Sequence, residues 1–143
     1  MPVVVGSSIT KPDEGIARTK GRCRILVADD LKSAADTLAM YFEYEGMETA
    51  VAYNGEQAVQ AASRLKPEVV CLDIGMPVMD GLQAGREIRK ILPDSFMVAL
   101  TGWGTEEDRD RSRAAGFDLH MVKPVKMSEL SDAVRGALPG CFP

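Results

Sequence analysis

No apolar run in this chain comes near the roughly 20 residues that a membrane-spanning helix needs. Its first apolar patch, in "MPVVVGSSITKPDEGIARTKGR", has no basic segment ahead of it. Neither a membrane span nor a secretory leader is expected, which leaves the cytoplasm as the default compartment. Cysteine is scarce. Cys23, Cys71 and Cys141 are odd in number and far apart, a pattern that fits neither a disulfide framework nor a zinc spacing. Cys71, inside an apolar run, reads as a small core residue. Basic charge is also thin over most of the length. Of 17 Lys/Arg and 21 Asp/Glu, five and two fall in residues 1–24, which leaves 12 against 19 in the remainder. An acidic body argues against nucleic acid as a partner and suits a site that gathers cations. The basic arm reads as a solvated linker or as a contact for an acidic partner.

What is present is ordinary globular material: 143 residues, 45% hydrophobic and 27% charged, enough for one domain with its own core. Residues 1–21 carry Pro, Gly, Ser and Thr without period and read as a flexible lead-in; 22–138 form the domain, and the tail 139–143 is expected to fray. Five short apolar runs read as strands: "CRILVAD" (23–29), "METAVAY" (47–53), "EVVCLD" (68–73), "FMVALT" (96–101) and "FDLHMV" (117–122). Helical stripes alternate with them, such as Ala35, Leu38, Ala39, Phe42 and then Ala58, Ala61, Ala62, Leu65. Asn54, with Gln57 three residues on, is expected to cap the second helix, and Asp80 the third. The charged helix "TEEDRDRSRAAG" places Glu107 and Arg111 at i, i+4. Short apolar strands alternating with helices imply an α/β domain whose parallel sheet is covered on both faces.

In such sheets the ligand site lies beyond the carboxyl ends of the strands. Asp29 and Asp30 end the first strand, Asp73 the third and Thr101 the fourth, and Lys123 follows the fifth. Acidic residues at strand ends often just cap the next helix, but Thr101 and Lys123 have no capping reason to join them. Three carboxylates in one crevice repel one another and invite a proton or a cation. Hard oxygen ligands with water completing the shell suit Mg2+.

The stretches "ILVADD", "VVCLDIGMPVMDG", "VALTGWG" and "GFDLHMVKPV" resemble, in that order, the signature blocks of response-regulator receiver domains of the chemotaxis-regulator type. The likeness covers about residues 23–138, and "LDIGMPVMDG" with "GFDLHMVKP" is closest in wording to receivers of hybrid histidine kinases. The resemblance implies a five-stranded, doubly wound, flavodoxin-like sheet of order 2-1-3-4-5 with five helices. It implies that Asp73 accepts a phosphoryl group from a histidine kinase or histidine phosphotransfer domain. Asp29, Asp30, Asp73 and the Gly75 carbonyl would hold Mg2+, while Thr101 and Lys123 would contact phosphoryl oxygens. It also implies a cis peptide between Lys123 and Pro124.

In the family an aromatic residue three before this lysine often repacks with the threonine. His120, the single histidine, stands there, either as part of that switch or as a packed side chain. Gly75 and Trp103 occupy the places that flank the attacking water, and neither offers an acid or base, so self-dephosphorylation is expected to be slow. Trp103 is either a partner-facing anchor or a loop plug, and Pro77 is expected to shape the loop beside Asp73. Output is expected through a downstream protein partner, with no nucleic acid or membrane contact and with a homodimer left open. The chain reads equally as a standalone regulator or a hybrid-kinase receiver. Two other readings stand beside the switch: a Mg2+-dependent aspartyl-phosphate phosphohydrolase and a receiver that binds partners without phosphorylation. The first would want an acid where Gly75 stands, and the second leaves the full set of site residues without a purpose.

Overall fold

The computed structural model describes residues 4–5, 23–76, 79–102 and 104–142. In chain order its elements are β1 (Val4–Val5), β2 (Arg24–Ala28), α1 (Lys32–Tyr44), β3 (Glu48–Ala52), α2 (Gly55–Leu65), β4 (Val69–Asp73), α3 (Gly81–Ile91), β5 (Phe96–Thr101), α4 (Glu106–Ala114), β6 (Leu119–Val122), α5 (Met127–Ala137) and a 3-10 turn at Pro139–Cys141. The five longer strands are parallel and lie side by side as β3-β2-β4-β5-β6, the expected 2-1-3-4-5 order. Order therefore reverses at β2, which opens a crevice over the carboxyl ends of β2 and β4.

Alternation sorts the continuous apolar runs onto two faces. Ile25, Val27, Val69, Cys71 and Val98 pack under α1 and α5 with Phe42, Leu130 and Val134. Leu26, Ala28, Val70, Leu72 and Ala99 pack under α2 and α3 with Ala58, Ala61 and Ile88. The caps are as expected, with Asn54 accepting from Gln57 N and Asp80 from Gln83 N, each at 2.8 Å. In α4 the ion pair that forms is Asp110–Arg113 at 3.2 Å, in place of Glu107–Arg111.

Three features depart from the sequence reading. The sheet has a sixth strand, because Val4 and Val5 pair antiparallel with Val51 and Ala50 on the outer edge of β3. Two residues carry no period, yet pairing there covers amides that the edge would leave to water. They fall within the lead-in 1–21, of which residues 1–3 and 6–21 lie outside the described residues, as do Arg22, Pro77, Val78, Trp103 and Pro143. Secondly, Cys23 and Cys141 form a disulfide across a separation of 118 residues, where no disulfide was expected, and Cys71 alone is a free buried thiol. Thirdly, the tail does not fray at Pro139–Cys141: it forms a helical turn with Cys141 buried. Spacing alone was a poor guide because the entry to β2 and the exit from α5 meet at the same end of the sheet.

Candidate functional site: an acidic pocket at the carboxyl ends of the strands

β2 and β4 deliver Asp29 and Asp73 side by side. Asp29 is anchored by its own amide, which donates to Ala52 O at 3.1 Å, and Ile74 N after Asp73 donates to Leu100 O at 2.9 Å. Each carboxylate then divides its oxygens in the same way. Asp29 Oδ1 accepts from Leu31 N and Asp73 Oδ1 from Gly75 N, both at 3.0 Å. Their Oδ2 atoms both face Lys123 Nζ, at 3.1 Å and 3.3 Å respectively. Asp29 is 4% exposed and Asp73 7%, so both negative charges sit in a wall that screens poorly. α3 starts directly above this strand end, since a side chain at Gly81 would collide with the backbone of Asp73 and Ile74.

Lys123 reaches in from the loop after β6. Its amide donates to Thr101 O at 2.7 Å, and the following Lys123–Pro124 peptide is cis. Burial by itself would push its ammonium down, but the hydrogen bond and charge of Asp29, followed by Asp73, raise it above the usual lysine value. Lys123 is therefore charged at neutral pH. Asp30, the exposed member of the acidic group, completes a set in which Asp29, Asp30 and Asp73 each bring an oxygen within 4.8 Å of the others. One ammonium pairs with two of these three carboxylates, so the cluster keeps a negative surplus. An all-oxygen donor set of this charge fits a hard divalent cation.

Beside Asp73 a cavity of about 280 Å³ runs past Thr101 to Ser112 and His120, with Arg111 at its wall. Thr101 is buried at the end of β5. A Cβ on Gly75 would stand 3.8 Å from Asp73 Oδ1, an ordinary contact, so this flank of the carboxylate is open. His120, half-buried on β6, has Nδ1 at 2.7 Å from Ser112 Oγ. That hydroxyl also donates to Asp108 O at 3.1 Å. The direction of the bond between the hydroxyl and Nδ1 follows the imidazole tautomer.

The structure thus brings Asp29, Asp30, Asp73, Thr101 and Lys123 to one pocket and places His120 at the far end of the adjoining cavity. The expectations for Pro77 and Trp103 concern residues outside those described. Ser112 was missed by sequence reasoning. It is the one buried side chain of α4, a helix with no apolar stripe to mark it in the sequence.

The family model for the response regulator receiver domain matches residues 25–135. The chain is 31% identical over 116 residues to sporulation initiation phosphotransferase F of Bacillus subtilis, a match covering 81% of this chain and 94% of that protein. It is 32% identical over 115 residues to the transcriptional regulatory protein TrcR of Mycobacterium tuberculosis, covering 80% of this chain and 45% of the relative. It spans about half the length of such transcriptional regulators. Among solved structures, a CheY-like receiver domain protein from Methanospirillum hungatei superposes with a TM-score of 0.78 at 26% identity, covering 82% and 94% of the two chains. The receiver domain of the Pseudomonas aeruginosa sensor histidine kinase PA1611, solved with magnesium coordinated in its active-site cleft, gives 0.73 at 27% identity and 82% and 98% coverage. The order of the strands, the acidic pocket at their ends and this family match agree: the chain belongs to the response regulator receiver domain family.

Proposed function

We propose that this chain is a phosphoacceptor of two-component signalling, modified on Asp73 by a phosphohistidine-bearing kinase or phosphotransfer domain in the cytoplasm. The observation that carries this reading is the ammonium of Lys123 lying between Asp29 and Asp73 within a pocket that still holds surplus negative charge. Asp29, Asp30 and Asp73, with the Gly75 carbonyl, would hold Mg2+. The ion supplies charge neutralisation for the crowded carboxylates and the phosphoryl oxygens.

Phosphoryl transfer needs positioning and charge neutralisation more than proton chemistry. Asp73 Oδ2 attacks phosphorus, the bond from phosphorus to the donor imidazole nitrogen breaks, and the imidazole leaves with that electron pair. Lys123 already stands at Oδ2, so it pairs with a phosphoryl oxygen without reorganising. Thr101 donates its hydroxyl to another. The phosphoryl group brings roughly −1.5 to −2 charge into the cavity, and His120, bonded to Ser112 on α4, senses the movement of Thr101. Leu31 beside the pocket, and Met40 on α1, are 62% and 68% exposed and offer apolar contact to the donor protein. Gly75 gives no acid or base to an attacking water, which favours a long-lived phosphoryl group over turnover.

The test is incubation with Mg2+ and a small acyl phosphate, followed by intact-mass measurement. One phosphoryl mass is expected on the wild type and none on Asp73→Asn or in excess EDTA. Equal labelling of Asp73→Asn would refute the assignment.

A further inference from the structure

At the end of the sheet opposite Asp73, the two ends of the domain are joined. Cys23 precedes β2 and Cys141 lies in the turn after α5, with Cα atoms 5.3 Å apart. The turn is held from a second side. Phe142 packs beneath the Arg135 guanidinium at 4.3 Å. Arg135 Nη2 donates to Glu45 Oε1 at 2.7 Å and Ser131 Oγ to the same oxygen at 2.6 Å, which stitches α5 to the end of α1. The third cysteine takes no part. Cys71 is fully buried in β4, and burial pushes its thiol up to about 12. It is a thiol at neutral pH and cannot exchange with the pair.

We propose that Cys23 and Cys141 are a redox-responsive clasp, closed as a disulfide that pins the C-terminal turn onto the α1–α5 seam and opened by low-molecular-weight thiols. This rests on the phosphoacceptor reading for its compartment, because disulfides are rare where kinases work and those that occur there are mostly transient or sensing. Cys23 is the partly buried residue of the pair and Cys141 the buried one, so attack is expected at Cys23. Opening begins when a glutathione thiolate attacks the Cys23 sulfur: a mixed disulfide forms, the bond to Cys141 breaks, and the Cys141 thiolate leaves and takes a proton. A second glutathione thiolate then attacks the glutathione sulfur of that mixed disulfide. Cys23 is released as a thiol and one glutathione disulfide is produced. Two electrons pass from glutathione to the protein, and closure runs the same steps backwards. The opened turn keeps Phe142 and Leu138 as its remaining apolar contacts, so it undocks more often. The phosphoacceptor pocket, at the other end of the strands, is untouched.

The full chain, equilibrated in mixtures of reduced and oxidised glutathione, is alkylated and weighed, and hydrogen exchange is followed in each state. Excess reduced glutathione is expected to expose two alkylatable cysteines, Cys71 reacting only after denaturation, and excess oxidised glutathione to close the pair again. Amides of 138–142 and of the last turn of α1 exchange faster in the opened form, and Cys23→Ser and Cys141→Ser each match the opened form under either mixture. A bond that survives excess reduced glutathione in the folded chain would make it a permanent staple and overturn the proposal. So would thiols that stay alkylatable under oxidised glutathione, or identical exchange in the two states. Asp73→Asn runs the same thiol cycle, so a failure of phosphoryl transfer counts against the phosphoacceptor assignment alone.

Discussion

The two ends of this sheet bury charge in opposite ways. At the amino ends of the strands every buried charge meets its complement. Arg24, 5% exposed, bonds Glu48 Oε1 at 3.1 Å and Leu65 O at 3.0 Å, while its amide donates to Glu68 Oε1 at 2.8 Å. Arg89 spreads its guanidinium over the carbonyls of Leu92, Pro93, Ser95 and Gly116 and over Asp118 Oδ2. At the carboxyl ends, Lys123 pairs with Asp29 and Asp73, and the third carboxylate of the cluster, Asp30, stands beside them. The larger surface hollow, about 580 Å³, lies at the amino end against Arg89 and Asp118, yet Arg89 has its donors committed there. Size is the poorer guide. A saturated network holds a fold together, whereas a cluster left with surplus charge has something still to bind.

Removing a charge should therefore have opposite consequences at the two ends. Arg24→Leu strands Glu48, 4% exposed, without its cation, and should cost about 3–5 kcal/mol in urea unfolding. A loss below 1 kcal/mol would mean that the amino-end network is not what holds the strands. Reduction of the Cys23–Cys141 bond, which closes a separation of 118 residues, should lower stability by about 2–4 kcal/mol. At the carboxyl end the sign reverses. Asp73→Asn keeps an oxygen for Gly75 N and removes a crowded charge, so metal-free stability should rise by about 1 kcal/mol. A fall of that size would show that Asp73 is already fully balanced by Lys123.

The smallest effect is acid weakening of the α1–α5 seam. Ser131, and then Arg135, hold the Glu45 carboxyl below its usual 4.5. Its contribution is thus fully present above that value and lost as pH falls through the lowered one. Hydrogen exchange at 131–142 should accelerate over that acid range in the wild type and show no such step in Glu45→Gln.

The carboxyl end was the legible one. Asp29, Asp30, Asp73, Thr101 and Lys123 each follow or end an apolar run, so the apolar runs and the rule for parallel sheets locate them together. His120 could be placed on the last strand, but its bond to Ser112 depends on how α4 seats, and α4 has no apolar stripe to announce that. The amino end was nearly silent. Cys23 and Cys141 are joined by the path of the whole chain, which local spacing does not encode. The Val4–Val5 pairing is two residues long, and the partners of Arg24 and Arg89 are mostly carbonyls that any sequence supplies.

The claim that the carboxyl end holds a charge surplus is tested most directly by calorimetric titration with Mg2+. The wild type should bind one ion, Asp30→Asn and Asp73→Asn should each bind at least tenfold more weakly, and Lys123→Met, which removes the competing ammonium, should bind more tightly. Binding that is absent in the wild type, or unchanged across the three variants, would contradict it.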